Sequence, residues 1–249
     1  MIYVTGDTHG DFRRFTSHNF PEQSEMTKDD YVVICGDFGG VWGRYAESCQ
    51  ERYWLDWLNE KPFTTLFVDG NHENYDRLLE YPEKSWNGGQ VNEVRSSILH
   101  LKRGYVFNIQ DKQCFTFGGA RSHDIDGGVF EIDDPDRDFK ERFARSQNKY
   151  FRINHLSWWK EEEPNQDELD LGLKNLEQAN WKVDFVFTHD CPSSILAQLY
   201  RDQESYELTN YLEQICQKLD YKWWFFGHHH IDRIFGDAAC LYYQITRIC

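Results

Sequence analysis

YVVICGDFGG, residues 31–40, decides the fold: the apolar residues Tyr31, Val32, Val33 and Ile34 run through Cys35 into Gly36-Asp37. An unbroken apolar run with β-branched character predicts a parallel strand buried on both faces. Its acid then stands at the carboxyl-terminal tip, where ligands of open α/β sheets collect. The same pattern is written four more times, as IYVTGDTHG (2–10), TLFVDGNHE (65–73), DFVFTHD (184–190) and WWFFGHHH (223–230). Each apolar run ends in Asp, Asn or His.

Between these strands the spacing predicts helices. Phe12 and Phe15 have helix-like separation, and residues 45–59 place Tyr53, Trp54, Trp57 and Leu58 on one side of a helix ended by Lys61-Pro62. A short helix is expected before Pro82. SSILHL, YVFNI and QCFTFGG, within residues 94–119, read as successive strands with turns at Arg103-Gly104 and Asp111-Lys112, which predicts a second, partly antiparallel sheet. From 121 to 165 the periodicity fails and acids and glycines accumulate, so this stretch is expected to be an insertion or cap. Helices over 166–179 and 208–219 and a last hairpin near 240–248 complete a single α/β domain spanning 1–249.

Charge bounds the function. The chain has 27 Lys plus Arg against 42 Asp plus Glu, a net charge of −15, which excludes extended wrapping by nucleic acid and docking on anionic membranes. A small phosphorylated group drawn in by bound metal remains compatible. Seven cysteines, at 35, 49, 114, 191, 216, 240 and 249, are odd in number and never in C-x-x-C spacing. That argues against a disulfide framework or a thiolate zinc site and for reduced thiols in the cytoplasm. No basic leader and no apolar run of the roughly 18 residues that a membrane span needs is present.

The strand tips offer Asp7, His9, Asp37, Asn71, His189, His228 and His230, a mixed oxygen and nitrogen set suited to Mn²⁺, Fe or Zn²⁺ rather than Ca²⁺. Seven donors are too many for one ion; two ions about 3.5 Å apart sharing one carboxylate would use them all. Taken singly, each has a blander reading: a Gly-Asp turn, an Asn turn former, a satisfied buried histidine with a solvent-facing neighbour in Asp190. Strand alternation would point His229 away from His228 and His230. His123, Asp124 and Asp126 read as a solvated acidic loop rather than an additional metal site. Arg13, Arg44 and Arg121 are candidate phosphate contacts, and Trp42, Trp158 and Trp159 are expected to pack in the core or cap rather than line a pocket for a base.

GDTHG, GDFGG, GNHE, THD and GHHH, in that order over residues 6–230, resemble the five blocks of the calcineurin-like metallophosphoesterases. The resemblance implies a two-sheet mixed β-sandwich flanked by helices, with two divalent ions, foremost Mn²⁺. It implies Asp7, His9 and His230 as ligands of the first ion, Asp37 as the bridging ligand, and Asn71, His189 and His228 as ligands of the second. His72 is similar to the family's non-ligand histidine, which contacts substrate and assists the leaving group. A metal-bridging hydroxide would attack a phosphomonoester or phosphodiester in a phosphorylated small molecule, nucleotide or phosphoprotein. The second block departs from the protein-phosphatase form GD-x-x-D-R-G, because Gly40 and Val41 stand where that form has Asp and Arg. The alternative function is a catalytically inactive scaffold or binding protein retaining the fold.

Overall fold

The computed structural model describes residues 1–201 and 204–249. In chain order the first half forms β1 (Ile2–Thr5), β2 (Tyr31–Cys35), α1 (Cys49–Asn59), β3 (Thr64–Val68), α2 (Tyr75–Leu78), β4 (Glu83–Trp86), β5 (Gly89–Arg95), β6 (Ile98–Leu101), β7 (Tyr105–Ile109) and β8 (Lys112–Phe117). The second half forms β9 (Val129–Phe130), α3 (Arg137–Ser146), β10 (Arg152–Ile153), α4 (Gln166–Gln178), β11 (Phe185–Thr188), α5 (Ser193–Leu199), α6 (Glu207–Lys218), β12 (Trp223–Phe226), β13 (Arg233–Phe235), β14 (Ala238–Cys240) and β15 (Thr246–Arg247).

Two sheets hold the chain together. One has the order β15-β1-β2-β3-β6-β5-β4 and the other β13-β14-β12-β11-β8-β7. Their facing sides share one apolar core, in which Val4, Val33, Leu66 and Leu99 meet Phe107, Phe187, Phe225 and Leu241. The outer face of the first sheet packs on α1 through Phe38, Leu55, Leu58 and Phe67. The outer face of the second is covered by α4, α5 and α6 through Leu176, Leu196, Leu212 and Trp224. Strands covered on both faces need apolar side chains at every position, which is why the five runs lack alternation. The result is a two-sheet mixed sandwich flanked by helices, as the resemblance implies.

Parallel pairing brings the tips level. Thr5 lies beside Ile34 and Cys35 beside Val68, while β11 and β12 run parallel in the second sheet. The loops after β1, β2, β3, β11 and β12 therefore open at one end of the sandwich.

Several elements differ from the sequence reading. The helix expected from residue 45 starts at Cys49, because Ser48 accepts a hydrogen bond from the Glu51 amide and Glu51 returns one, a capping box that fixes the first turn. SSILHL joins the first sheet, not the second: β6 runs parallel to β3. It is led there by the hairpin of β4 and β5, whose Asn87-Gly88 turn has positive φ at both residues. The turn between β7 and β8 is Gln110-Asp111, one residue earlier than expected. The hairpin placed near 240–248 is instead β13 with β14, and β15 crosses to pair antiparallel with β1. Residues 121–165, expected to lack periodic structure, contain α3 and the parallel pair of β9 with β10.

Candidate functional site

Four of the five candidate ligand loops, all but Thr188-His189-Asp190, begin with a glycine that is sterically required. A Cβ on Gly36 would fall inside the His189 ring, and one on Gly70 would meet the Asp37 carboxylate. The loops thus pack backbone against side chain, and the Gly of each Gly-Asp or Gly-Asn pair is the clearance that lets them converge. The backbone is bent to the same purpose: His9, Asp37, His228 and His230 all have positive φ, between 44° and 65°. Four non-glycine residues in this sparsely occupied region within one site is a concentration typical of functional centres.

Two donor clusters result. In the first, Asp7, His9, Asp37 and His230 bring one ligand atom each within 4.8 Å of one another. His9 Nε2 and His230 Nε2 face each other at 3.0 Å, and His230 Nε2 lies 3.1 Å from Asp7 Oδ2. In the second, His189 Nε2 lies 3.3 Å from Asp37 Oδ1 and 3.2 Å from Asn71 Oδ1, and the His228 ring stands edge-on to that of His189 at 4.9 Å. Asp37 reaches both clusters, its Oδ2 lying 3.8 Å from His9 Nε2. His72 belongs to neither. Its amide donates to Asp37 Oδ1 at 2.8 Å, and its ring sits 5.3 Å from His9 and 6.4 Å from Trp42.

The chemistry of these atoms fits divalent cations. Asp7 Oδ2 is buried, and although His230 Nε2 lies 3.1 Å away the two are not in hydrogen-bonding geometry, an expensive state for a carboxylate oxygen unless a cation or a protonated histidine satisfies it. His189 Nδ1 is committed to the Cys35 carbonyl at 2.8 Å, which leaves Nε2, facing two oxygens, as the atom that takes either a metal ion or a proton. Burial disfavours a charged His189, yet Asp37 and Asp7 outweigh it and push its pKa up to about 10. A positive charge is wanted at that point. Burial holds His9 and His228 below the usual histidine range, which keeps their lone pairs free. The donors are nitrogen and oxygen only, a set for Mn²⁺, Fe or Zn²⁺.

Several supporting residues were not singled out by the sequence. Glu73, fully buried, accepts from the amides of Phe38 and Gly39 at 2.6 and 3.3 Å and so clamps the GNHE loop to the Asp37 loop. Asn71 Nδ2 donates to Ser122 Oγ at 3.3 Å, and Ser122 Oγ donates to Glu162 at 2.7 Å. This chain turns the Asn71 oxygen toward His189. Burial pushes the Glu162 carboxyl up to about 7 in spite of its two hydrogen bonds from Ser122. Replacing Ser122 by Ala frees the amide to rotate, and the expected result is a 10- to 100-fold loss of affinity for the second ion, of the order seen when outer partners of metal ligands are removed. Calorimetric titration with Mn²⁺ measures it; unchanged affinity would show that Asn71 needs no such support.

Asp190, expected to face solvent, is buried. It accepts from Tyr206 Oη and from the Cys191 amide, and its Oδ1 lies 3.2 Å from His229 Nε2. His229 turns to Asp190 and Cys191, yet its ring stays 5.0 Å from that of His228, and with left-handed backbone at His228 and His230 the run does not alternate as a strand would. Asp124 is paired with Arg152 and Asp126 accepts the Tyr150 amide, so both are occupied. His123 instead packs on His228 at 5.0 Å. The three arginines are held outside both clusters: Arg13 by Asp11, Arg121 by Glu163, and Arg44 over the Tyr45 ring at 4.5 Å. Trp159 is buried as expected and donates to Asp76, whereas Trp42 is only half-buried and faces a cleft beside His72.

A family model described as calcineurin-like phosphoesterase matches residues 1–232. The chain is 25% identical over 255 residues to a lariat debranching enzyme of Drosophila pseudoobscura pseudoobscura, with 92% of this chain and 42% of that protein covered. It is 23% identical over 256 residues to a lariat debranching enzyme of Danio rerio, with 92% and 40% covered. For the lariat debranching enzyme of Entamoeba histolytica the identity is 23% over 254 residues, with 93% and 64% covered. The chain spans less than half the length of the fly and fish proteins.

Proposed function

The chain belongs to the calcineurin-like phosphoesterase family, whose members are metal-dependent phosphoester hydrolases, and from that premise we propose that it hydrolyses a phosphodiester with two divalent ions, foremost Mn²⁺. The observation that carries this reading is the buried Asp7 Oδ2, which makes no well-formed hydrogen bond and faces the His230 and His9 nitrogens at 3.1 and 3.7 Å. Such a cage of lone pairs favours a cation at its centre. Asp7, His9 and His230 would hold one ion, Asn71, His189 and His228 the other, and Asp37 both. When bound, the ions would lower the pKa of water from about 15.7 toward roughly 7 and offset phosphate charge. Two divalent ions against two carboxylates leave the centre net positive, so a chain of charge −15 still attracts a phosphate there.

The shared name of the relatives, lariat debranching enzyme, favours a phosphodiester at a nucleic-acid branch over a monoester. The absence of Asp and Arg at Gly40 and Val41 agrees, because those are the residues of the protein-phosphatase form. Free thiols at all seven cysteines suit a reducing, cytoplasmic setting, and no described helix is long and apolar enough to cross a membrane. The test is metal content together with hydrolysis of bis(p-nitrophenyl) and p-nitrophenyl phosphate in Mn²⁺. Faster turnover of the diester is expected; no turnover of either ester with Mn²⁺, Fe²⁺ or Zn²⁺ would leave the scaffold alternative standing.

His72 stands between His9 and Trp42, and in this reading it would hand a proton to the departing oxygen. His72→Ala is expected to lower kcat by roughly 10²- to 10⁴-fold, the range for loss of a positioned acid, with metal content unchanged. Loss of an ion from the variant would make His72 a ligand instead.

A further inference from the structure

A cleft of about 410 Å³ runs from the metal centre to α1, within the size range of small-ligand sites. His9 and His72 form its inner wall, so whatever occupies it is continuous with the reacting phosphate. Trp42 and Trp54, both half-buried, line it as well. Gly10, Gly39 and Gly40 of the GDTHG and GDFGG turns line it too, with Gly43 and Phe12, and neighbouring rings brace the indoles, Trp42 by Trp159 and Trp54 by Tyr53 and Trp57.

Its electrostatics restrict the occupant. No Lys or Arg lines the cleft. The acid that does, Glu51, is spent: its Oε1 accepts from the Trp42 and Gly43 amides at 2.7 and 2.9 Å and from Arg77 at 2.6 Å, and its Oε2 accepts from the Ser48 amide at 2.6 Å. Burial would raise its carboxyl, but these donors hold it at about 2. A second phosphate, a phosphopeptide rich in charge or a cationic group would find no counter-charge here. A flat, uncharged ring would find two indoles. Gln50, exposed at the rim, adds a free amide, one acceptor and two donors, of the kind that reads the edge of a base.

We propose that this cleft seats a nucleobase of the substrate, stacked on Trp42 and Trp54 and read at its edge by Gln50, so that the esterified group is a nucleoside. The inference rests on the phosphodiesterase reading for its biological meaning but not for its test. Stacking of a base on an aromatic side chain gives roughly 5- to 150-fold in affinity (about 1–3 kcal/mol).

Equilibrium dialysis with labelled adenosine, in Mn²⁺ and without turnover, tests the seat directly. The wild-type protein is expected to bind, Trp54→Ala to bind at least tenfold more weakly, Trp54→Phe to retain most of the affinity and Gln50→Ala to lose part of it. In parallel, thymidine 5′-(p-nitrophenyl) phosphate and methyl p-nitrophenyl phosphate differ by the nucleoside alone. Trp54→Ala should lower kcat/KM for the first by about 10- to 100-fold and for the second by less than twofold. Equal losses on both esters, or no adenosine binding by the wild type, overturn the seat even if ester hydrolysis is intact. Adenosine binding that depends on Trp54, with neither ester hydrolysed, would sustain the seat and sink the phosphodiesterase reading.

Discussion

Asp37→Asn should bring turnover down by roughly 10⁴-fold, about 5.5 kcal/mol of transition-state stabilisation, and the metal content from two ions to one or none. The side chain is the single group that reaches both clusters, 3.8 Å from His9 Nε2 by one oxygen and 3.3 Å from His189 Nε2 by the other. Asparagine keeps the shape and can still accept the His72 amide, so the loops stay in place. What it removes is the charge. The second cluster would then hold one neutral amide more and no carboxylate, and His189 would lose the partner that most strongly favours its charged form. Elemental analysis and diester hydrolysis on the same preparation check the result. A variant that retained two ions and near-normal turnover would mean that Asp37 shares no ion with either cluster.

The strand tips were legible in sequence because every candidate ligand lies within a few residues of the end of an apolar run, a local pattern. Sheet membership was not. Nothing inside SSILHL says whether it continues the first sheet or starts the second; that is set by the β4–β5 hairpin, whose strands are largely polar and whose turn, Asn87-Gly88, joins no two apolar runs. The supporting residues were illegible for a different reason. Ser122 lies 51 residues from Asn71, and Glu162 40 residues from Ser122, so their alignment depends on the conformation of residues 121–165, where periodicity gives no guide. Asp190 is buried because Tyr206 and His229 supply its hydrogen bonds, partners that adjacency to His189 does not reveal.

Arg103 carries the largest expected effect on stability. Asp69, at the end of β3 and two residues before Asn71, is 1% exposed. Arg103 binds it through Nε at 2.8 Å and through a second nitrogen, His100 Nε2 lies 3.0 Å from its other oxygen, and Tyr75 donates at 2.8 Å. Burial alone would push the Asp69 carboxyl up; the Arg103 guanidinium and His100 overcome this and hold it well below the usual carboxylate range. Arg103 also donates to the Glu161 carbonyl at 2.8 Å, and so ties the metal-proximal end of β3 to the segment that supplies Glu162. Arg103→Met keeps most of the volume and leaves the carboxylate buried against His100 and Tyr75 alone. Removing one partner of a buried ion pair costs about 3–5 kcal/mol, or a fall in Tm of roughly 10 °C for a chain of this length. The pH dependence identifies the cause. In the wild type the depressed Asp69 contributes stability that is present above its unfolded pKa of about 3.9 and is lost only as pH falls through its lower folded value. In the variant, burial without Arg103 favours the protonated form, so the deficit should be greatest near pH 8 and shrink as pH falls toward 5. Urea midpoints of the two proteins across that range measure it. A deficit that is independent of pH would trace the loss to packing of the arginine stem, and Asp69 would then owe its ionised state to His100 and Tyr75.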